Sequence, residues 1–281
     1  MAVKIIAETG ASHRKSYTRC IALIHASRMA GANAVKFSLF KPGEMAPNSS
    51  ESPFIITKEG AWQGKSLYEL YEQSSLCYDW IGDLKTATKA AGMEFIVSVY
   101  HPNTVPLLRN NRIDTVKIAS FELGYLALLE AVSEQECIKH VVLSAGGATI
   151  DEIETAMSIL AGKKVTLLHC ISSYPAALNE MNILTMADMG GRFKTEAGLS
   201  DHTTGIVAAV VAASIGATVI EKHIKLDDEG LDASFAVFPD RFATMSGAIR
   251  EVERAMGKVE YPGKKTYHRD LIDGEYWRKV W

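Results

Sequence analysis

Short runs of hydrophobic residues recur along the chain, and most of them lead directly into polar residues. Eight such runs are found, at residues 3–7, 34–35, 94–97, 115–116, 140–143, 165–168, 198–199 and 219–220. Near-continuous hydrophobic runs, without alternation of polar positions, are typical of parallel strands that are buried on both faces. The pattern therefore predicts eight buried parallel strands, each with polar side chains at its carboxyl end.

The segments between these runs are long enough for helices. We predict helices at residues 17–30, 80–91, 104–111, 123–136, 149–160, 179–190, 204–215 and 240–256. Strict alternation of strand and helix indicates an α/β fold, and eight such units indicate closure into a single (β/α)8 TIM barrel. The barrel is predicted to occupy residues 1–258, which agrees with the roughly 250 residues typical of this fold. Residues 259–281 are predicted to form a C-terminal tail, with no second domain.

One connection is much longer than the others. It covers residues 41–76 and includes Pro42, Pro47 and Pro53. Loops of this length in a compact domain are usually functional or mobile. Because it follows a strand, it begins at the same end of the barrel as the polar strand ends, and we predict that it covers the substrate.

The composition is that of an ordinary soluble globular protein. Hydrophobic residues make up 47% of the chain and the formal net charge is −3, which argues against a nucleic-acid or membrane-surface partner. No hydrophobic run is long enough to span a bilayer, and the first residues enter a strand directly, without a secretory signal pattern. The four cysteines have no paired or zinc-like spacing. A cytoplasmic location is therefore predicted.

The polar strand ends combine lysines with serines. Lys36, Lys117, Ser98, Ser120 and Ser144 follow four different runs. Cations and neutral donors that converge from several strands are suited to bind a phosphate group, and a barrel brings strand ends together at one rim. For any one of these residues alone, an ordinary solvated lysine or strand-end serine remains the alternative.

Two histidines lie one strand–helix unit apart. His202 and His223 each follow a hydrophobic run, so two neighbouring parallel strands would bring both imidazoles to the same end of the sheet. Imidazole pairs bind divalent transition metals. The alternative is two hydrogen-bonded histidines without a metal. Glu221 and Asp201 stand beside them, and the sequence leaves open whether either is a ligand or orients one.

Other candidates for chemistry are weaker. Glu8 and Glu122 follow strands and could act in acid–base catalysis or bind sugar hydroxyls, but a salt-bridged carboxylate is an equal alternative. The run from Ser144 to Gly147 lacks the spacing of nucleotide-binding glycine motifs. Cys170 follows His169, but adjacent strand residues point to opposite faces, and we interpret Cys170 as structural.

Taken together, six motifs resemble those of the sialic acid synthase family, over residues 3 to 257. The motifs are Ile6–Glu8, Ala34–Phe37, Lys117–Glu122, Leu168–Cys170 with Tyr174–Pro175, Gly198–Thr203 and Ile220–His223. Within the family, the segment Gly64–Tyr71 after Trp62, together with Phe121, is similar to the pseudaminic acid synthase branch. The resemblance implies a (β/α)8 enzyme that joins phosphoenolpyruvate to an N-acylated amino sugar or a related aldose. The implied products are a 2-keto-3-deoxy (nonulosonic) acid and phosphate.

The resemblance also implies roles for individual residues. Those placed around the reacting carbons are Glu8, Lys117 and Glu221. The phosphoenolpyruvate ligands are Lys36, Ser98, Lys117, Ser120, Ser144, Ser172 and Ser200. Those that meet the sugar are Glu122, Tyr174 and Asp232. The ligands of a divalent metal, with Mn²⁺ first and Mg²⁺ or Co²⁺ as alternatives, are His202 and His223. By implication the metal polarises the sugar aldehyde, the enol carbon of phosphoenolpyruvate attacks it, water adds at C2, and phosphate leaves.

Some positions depart from the family pattern. Ser38 replaces a glutamine, Ser98 replaces a threonine, and Asp232 lacks the preceding proline. The C-terminal antifreeze-like domain of the family is not recognisable in the sequence. Candidate partners are therefore a second copy of the chain and a separate antifreeze-like-domain protein. Alternative functions are another metal-dependent barrel aldolase or lyase, or a non-catalytic homologue that binds sugar or phosphate.

Overall fold

The protein is a closed eight-stranded parallel barrel, as the sequence predicts. A computed structural model describes residues 2–57 and 62–259, and the strands pair in chain order with β8 closing onto β1. The strands are β1 Lys4–Glu8, β2 Ala34–Leu39, β3 Glu94–Val99, β4 Thr115–Ile118, β5 His140–Ser144, β6 Lys164–His169, β7 Glu196–Asp201 and β8 Val219–His223. The predicted (β/α)8 TIM barrel is therefore confirmed.

Helices follow the strands around the outside of the barrel. They are α1 Tyr17–Met29, α2 Pro42–Met45, α3 Leu67–Ser74, α4 Ile81–Ala90, α5 Val105–Asn110, α6 Leu126–Glu134, α7 Ile150–Ile159, α8 Leu184–Phe193, α9 Val207–Ser214 and α10 Pro239–Met256. Most of the hydrophobic core lies between this helical layer and the outer face of the barrel. That layer holds the strands in place and fixes the positions of their ends.

The interior of the barrel contains a separate hydrophobic layer. This layer is formed by Ile6, Ala34, Ile96, Val142, Leu168 and Val219, all nearly or completely buried. Strand side chains alternate between two faces, so the residues two positions further along also point inward, toward the carboxyl-terminal rim. Five of those six positions hold polar residues of the predicted site, and the sixth holds Cys170. The apolar layer is thus a rigid floor beneath them.

Polar residues form a further layer below that floor, at the amino-terminal rim. Lys4 pairs with Glu94 at 2.5 Å, and Glu94 accepts a hydrogen bond from Thr115 at 2.8 Å. Next to Thr115 in the ladder, His140 lies 2.8 Å from Thr166. The period-two pattern of the strands therefore separates a polar base, an apolar floor and a polar upper rim.

The long connection at residues 41–76 is more ordered than predicted. It contains the short helix α2 and the helix α3, which begins with a capping box between Ser66 and Glu69. An antiparallel bridge joins Ile55 to Ser66, and residues 58–61 between them lie outside the described part. The Ser–x–x–Glu spacing at Ser66 was the sequence signal that could have identified α3.

Helix α8 differs most from its predicted bounds. The sequence suggests residues 179–190, but the helix begins at Leu184 and continues to Phe193. Asn182, just before it, has a left-handed φ of 41°, and Leu178–Glu180 forms a separate 3₁₀ turn. The helix ends at Lys194 in a left-handed conformation, so Gly190 lies inside it. A lysine performs the terminating role that is more often given to glycine.

The predicted domain division stays a prediction. The described part of the chain forms the barrel up to Met256 at the end of α10, while residues 260–281 of the predicted tail lie outside the described residues. Among the helices of residues 2–57 and 62–259, none combines the length and hydrophobicity needed to cross a bilayer.

Candidate active site

A cavity of about 340 Å³ opens at the carboxyl-terminal rim of the barrel. Eleven of the predicted site residues line it: Glu8, Lys36, Lys117, Ser120, Ser144, Tyr174, Ser200, His202, Glu221, His223 and Asp232. They come from seven of the eight strands or from the loops that follow them. Ser98, Ser172 and Glu122 are not among the lining residues. The closed sheet thus brings together side chains that are up to 224 positions apart in the sequence, from Glu8 to Asp232.

Lys36 lies at the centre of a buried charge cluster. Its ammonium group forms an ion pair with Glu8 and lies 3.5 Å from Glu221. Burial alone would lower the pKa of Lys36, but the two carboxylates outweigh it and raise that pKa. Burial would raise the pKa of Glu221, but Lys36 and Lys117 lower it to about 2. Both groups are therefore charged at neutral pH.

Lys117 is a buried cation without a carboxylate partner. The residue is 2% exposed, and its ammonium group donates to the carbonyl oxygen of Ile118 at 3.0 Å. Among the described residues it forms no ion pair. Burial lowers its pKa, although the nearby Glu221 opposes the shift, and Lys36 adds to it. An isolated buried ammonium group is costly unless an anion accompanies it. Lys117 therefore marks the place in the cavity where a bound anion is most favourable.

Serine hydroxyls surround the two lysines. Ser200 donates to Glu221 at 3.0 Å, and Ser98 accepts a hydrogen bond from Lys36 at 2.8 Å. Ser120 and Ser172 lie 2.8 Å apart, oxygen to oxygen. The hydroxyl of Ser144 is buried and has no hydrogen-bond partner among the described residues. Ser98 and Ser172 thus support lining residues from behind, and Ser144 has a donor available for a ligand.

The two histidines lie together at the rim. The centroids of the His202 and His223 rings are 5.6 Å apart. Nδ1 of His202 is 3.1 Å from the carbonyl oxygen of Ile171, and Nδ1 of His223 is 2.9 Å from the Asp232 carboxylate. Both acceptors require a protonated Nδ1. In the neutral tautomer, each ring therefore keeps a lone pair on Nε2.

These residues fit a divalent metal as a partial ligand set. Burial and the neighbouring His223 lower the pKa of His202 to about 3, so its imidazole is neutral and able to coordinate. Oε2 of Glu221 is buried without a hydrogen-bond partner in the described part of the chain. Within those residues, no group of three or more histidine, cysteine, aspartate or glutamate side chains is arranged to hold a metal. Substrate or water oxygens would have to complete the coordination of an ion held by two imidazoles.

The three residues predicted to bind the sugar lie in three different places. Tyr174 packs its ring 4.6 Å from that of His202, at the mouth of the cavity. Asp232 is 8% exposed and accepts from His223 and from the Ala11 amide, so it also orients a histidine. Glu122 lies outside the lining, in a 3₁₀ turn after β4. Burial raises the pKa of Glu122 to about 7 although Lys117 opposes the shift.

Several lining residues are not among the predicted site residues. Gly10 adopts a φ of 46°, and any Cβ there would collide with Asp232 and His223, so the glycine permits this close approach. Tyr100 lies 3.1 Å from Ser38, and burial raises its pKa. One wall of the cavity is apolar, formed by Phe40, Met45, Ile56, Trp62, Leu67, Leu70 and Phe235. Five of these come from the insertion at 41–76, whose hydrophobic positions have no regular period to reveal them.

Fold and site together define a class of protein. A (β/α)8 barrel that gathers two buried lysines, buried carboxylates and two histidines at its carboxyl-terminal rim has the features of an enzyme acting on a small anionic substrate. Comparison with known proteins identifies the group. Residues 23–261 match the NeuB family, and the chain therefore belongs to that family.

Relatives of known activity agree with this. The chain is 33% identical to pseudaminic acid synthase of Helicobacter pylori over 262 residues, which is 92% of this chain and 76% of that protein. It is 34% identical to pseudaminic acid synthase of Campylobacter jejuni, over 91% of this chain and 75% of that one. The crystal structure of N-acetylneuraminic acid synthetase from Leptospira borgpetersenii matches with a TM-score of 0.84 at 25% identity, over 100% of this chain and 93% of that one.

The predicted resemblance to the sialic acid synthases is thereby confirmed. The NeuB family consists of phosphoenolpyruvate-dependent enzymes that form a carbon–carbon bond to a sugar. They act on small molecules and are metal-dependent as a group. The comparisons give no support to the alternative aldolase, lyase or non-catalytic function.

Proposed function

We propose that this chain condenses phosphoenolpyruvate with an N-acylated amino aldose and water to give a nonulosonic acid and inorganic phosphate. In this reaction C3 of phosphoenolpyruvate bonds to the aldehyde carbon, whose oxygen becomes a hydroxyl. Water supplies the new oxygen at C2, and the bond from C2 to the phosphate oxygen breaks. The family membership supports this class of reaction.

The observation that carries the proposal is the unpaired cation Lys117. It is 2% exposed, and its one hydrogen bond within the described part of the chain goes to the carbonyl oxygen of Ile118. Phosphoenolpyruvate brings both a phosphate and a carboxylate, which would compensate this charge. We assign Lys117, Ser120 and Ser144 to phosphoenolpyruvate, with Ser200 beside them. Ser98 and Ser172 act through Lys36 and Ser120, to which they are hydrogen-bonded.

The carboxylates are proposed to act around the reacting carbons. Glu221 carries its charge at neutral pH because two lysines hold its pKa at about 2, and one of its oxygens has no hydrogen-bond partner among the described residues. It would stabilise positive charge that develops at C2, and Glu8, paired with Lys36, would position the attacking water. When bound to His202 and His223, Mn²⁺ would supply Lewis-acid polarisation of the aldehyde.

The apolar wall supports an acceptor with hydrophobic substituents. Trp62 and Tyr174 face each other across the mouth with ring centroids 6.4 Å apart, and Phe235 lies 5.1 Å from Tyr174. Aromatic surfaces of this kind pack against methyl groups and the C–H face of a sugar ring. N-acyl methyl groups fit that surface better than hydroxyl groups. This agrees with relatives named for pseudaminic acid.

Phosphate release tests the proposal directly. Phosphoenolpyruvate and Mn²⁺ are incubated with a panel of N-acylated amino sugars and with plain aldoses of equal chain length. We expect release that requires both the metal and an N-acylated acceptor. Trp62→Ala should raise the KM of the acceptor about tenfold and leave the KM of phosphoenolpyruvate within twofold, because lost packing on one substrate costs about 1–3 kcal/mol.

Two results would contradict this assignment. Release from every aldose at equal kcat/KM would show that the apolar wall does not select N-acylated acceptors. Absence of release from the whole panel, with phosphoenolpyruvate shown to bind, would exclude the condensation with these acceptors.

A further inference from the structure

A buried ion pair lies outside the barrel wall, behind the two histidines. It joins Lys222 of β8 to Asp201 of β7 at 3.0 Å, and both side chains are 0% exposed. Lys222 stands between Glu221 and His223, which line the cavity, so strand alternation directs it to the opposite face. Asp201 and Lys222 are also partners in the β7–β8 ladder. Neither residue of this pair lines the cavity described above.

The pair holds the residue that follows His202 from two sides. The Asp201 carboxylate accepts a hydrogen bond from the Thr203 amide at 2.8 Å. The Lys222 ammonium donates to the Thr203 carbonyl oxygen at 2.5 Å. The peptide groups on either side of Thr203 are thereby fixed by one charge pair. The carbonyl oxygen of His202 itself accepts from the Ala176 amide at 3.0 Å.

This arrangement leaves His202 little freedom. Its ring is held at Nδ1 by the Ile171 carbonyl, and the following residue is held by Asp201 and Lys222. Lys222 is in the same strand as His223, directly before it in the sequence. The pair therefore ties the loop of one histidine to the strand of the other. A change at the pair would alter the distance between the two Nε2 atoms.

Stability alone does not account for the pair. Replacing a buried ion pair by well-packed hydrophobic residues is often neutral or stabilising, because the desolvation cost offsets the attraction between the charges. A pair of this kind at the back of a strand is consistent with a role in orientation.

We infer that Lys222 and Asp201 are positioning residues that set the separation and orientation of His202 and His223 for metal binding. This inference rests on the proposed function of the two histidines. It also answers the question left open by the sequence, because Asp201 points away from the cavity and orients a histidine loop instead of coordinating a metal.

The test compares two double variants. In Lys222→Met/Asp201→Leu, the pair becomes apolar; in Lys222→Gln/Asp201→Asn, neutral amides of similar shape can keep the hydrogen bonds. The Mn²⁺ dissociation constant is measured by electron paramagnetic resonance, and folding by urea denaturation. The matched control is Lys4→Met/Glu94→Leu, which removes a cross-barrel ion pair from the opposite rim.

We expect the Met/Leu variant to remain folded and to bind Mn²⁺ 10–100-fold more weakly, the usual effect of losing an outer orienting contact. The Gln/Asn variant and the control should stay within threefold of the wild type. In the Met/Leu variant, kcat should fall by a larger factor than the factor by which the KM for phosphoenolpyruvate changes. A purely structural role would not move Mn²⁺ affinity in a folded variant.

Three outcomes would overturn the inference. Wild-type Mn²⁺ affinity in the folded Met/Leu variant removes the positioning role while the metal site itself stands. Equal weakening in both double variants removes the hydrogen-bond argument. If the Met/Leu variant does not fold, the Gln/Asn variant decides, and tenfold or greater weakening of Mn²⁺ binding in that folded variant contradicts the inference. Failure of the wild type to bind Mn²⁺ at all rejects the proposed metal site, and this result is distinct from the first two.

Discussion

Buried charge decides the chemistry at the scale of single residues. Lys36 is shared between Glu8 and Glu221, whereas Lys117 has no carboxylate of its own among the described residues. Lys36 compensates carboxylates of the protein itself, whereas Lys117 is available to compensate the negative charge of a bound ligand. Two lysines at equivalent strand ends therefore have different functions, and substitution of each should have a different consequence.

Lys36→Met tests the role of the shared lysine. The change leaves Glu8 and Glu221 buried without their cation, and we expect a loss of about 3–5 kcal/mol in the free energy of unfolding. Lys36 and, to a smaller extent, Lys117 hold the pKa of Glu221 at about 2, so this pKa should rise in the variant. Urea denaturation at pH 7 measures the effect, with Lys41→Met as the exposed-lysine control. Similar stability of both variants would contradict the charge-cluster argument.

His13 provides a pH-dependent contribution to stability. It is completely buried, and burial lowers its pKa from 6.5 to about 4 although Asp232 opposes the shift. The unfolded chain therefore binds a proton more readily than the folded one. The contribution of His13 is complete above pH 6.5 and is lost as the pH falls from about 6.5 to about 4, to a total of about 3 kcal/mol.

The variant His13→Asn isolates this contribution. Its side-chain oxygen can accept the Lys15 amide hydrogen that Nδ1 of His13 accepts at 3.0 Å. Urea denaturation is carried out at pH 7, 6, 5 and 4 for both proteins. We expect the wild type to lose more stability than the variant over this range. Parallel stability curves would show that His13 does not titrate in this window.

Strand packing controls the site at the scale of elements. Gly198 in β7 stands level with the apolar floor, and any Cβ there would collide with the carbonyl oxygen of Val219 in β8 and come within 2.9 Å of Leu168. The glycine thus permits the close approach of β7 and β8, the two strands that carry the histidines. The spacing of these strands therefore depends on how β7 packs against β8, and not on either histidine alone.

Gly198→Ala should disturb this spacing. Overpacking against backbone typically costs 1–3 kcal/mol, and we expect a loss of at least about 2 kcal/mol in unfolding free energy, together with weaker Mn²⁺ binding. Gly191→Ala is the matched control, because no atom lies within 4 Å of its Cβ position in α8 and alanine favours helix by about 1 kcal/mol. Equal stability of the two variants would refute the close-approach argument.

Ligand binding and folding are linked at the scale of the whole molecule. The cavity is lined by residues from all eight strands or the loops that follow them, so a ligand in it contacts most of the barrel at once. Substances that bind only the folded state stabilise it in proportion to the logarithm of their concentration over the dissociation constant. The stability of the barrel should therefore report directly on occupancy of the site.

Phosphoenolpyruvate at one hundred times its dissociation constant should stabilise the protein by about 2.7 kcal/mol, or roughly 5–10 °C in Tm. Calorimetry measures this shift. At the same concentration, Lys117→Met should show a much smaller shift, and it should still fold because Lys36 remains beside Glu221 to compensate that carboxylate. An equal shift in the variant and the wild type would remove Lys117 from the phosphoenolpyruvate site.

Much of this structure follows from local pattern. The near-continuous hydrophobic runs were sufficient for the strands and the fold class, and eleven of the fourteen predicted site residues line one cavity. The carboxyl-terminal bound of α8 was missed because a lysine in a left-handed conformation terminates it. The assignment of each site residue to phosphoenolpyruvate, sugar or metal stays a prediction.

By itself, the sequence determined which residues could meet at the rim, because parallel strands of a closed sheet deliver their carboxyl ends to one place. It also determined the family, through motifs local to single strands. Only the tertiary structure decided that Asp201 points outward to Lys222, that Lys117 lacks a carboxylate partner among the described residues, and that the insertion supplies an apolar wall. Those facts depend on contacts between residues far apart in the chain, which no local pattern specifies.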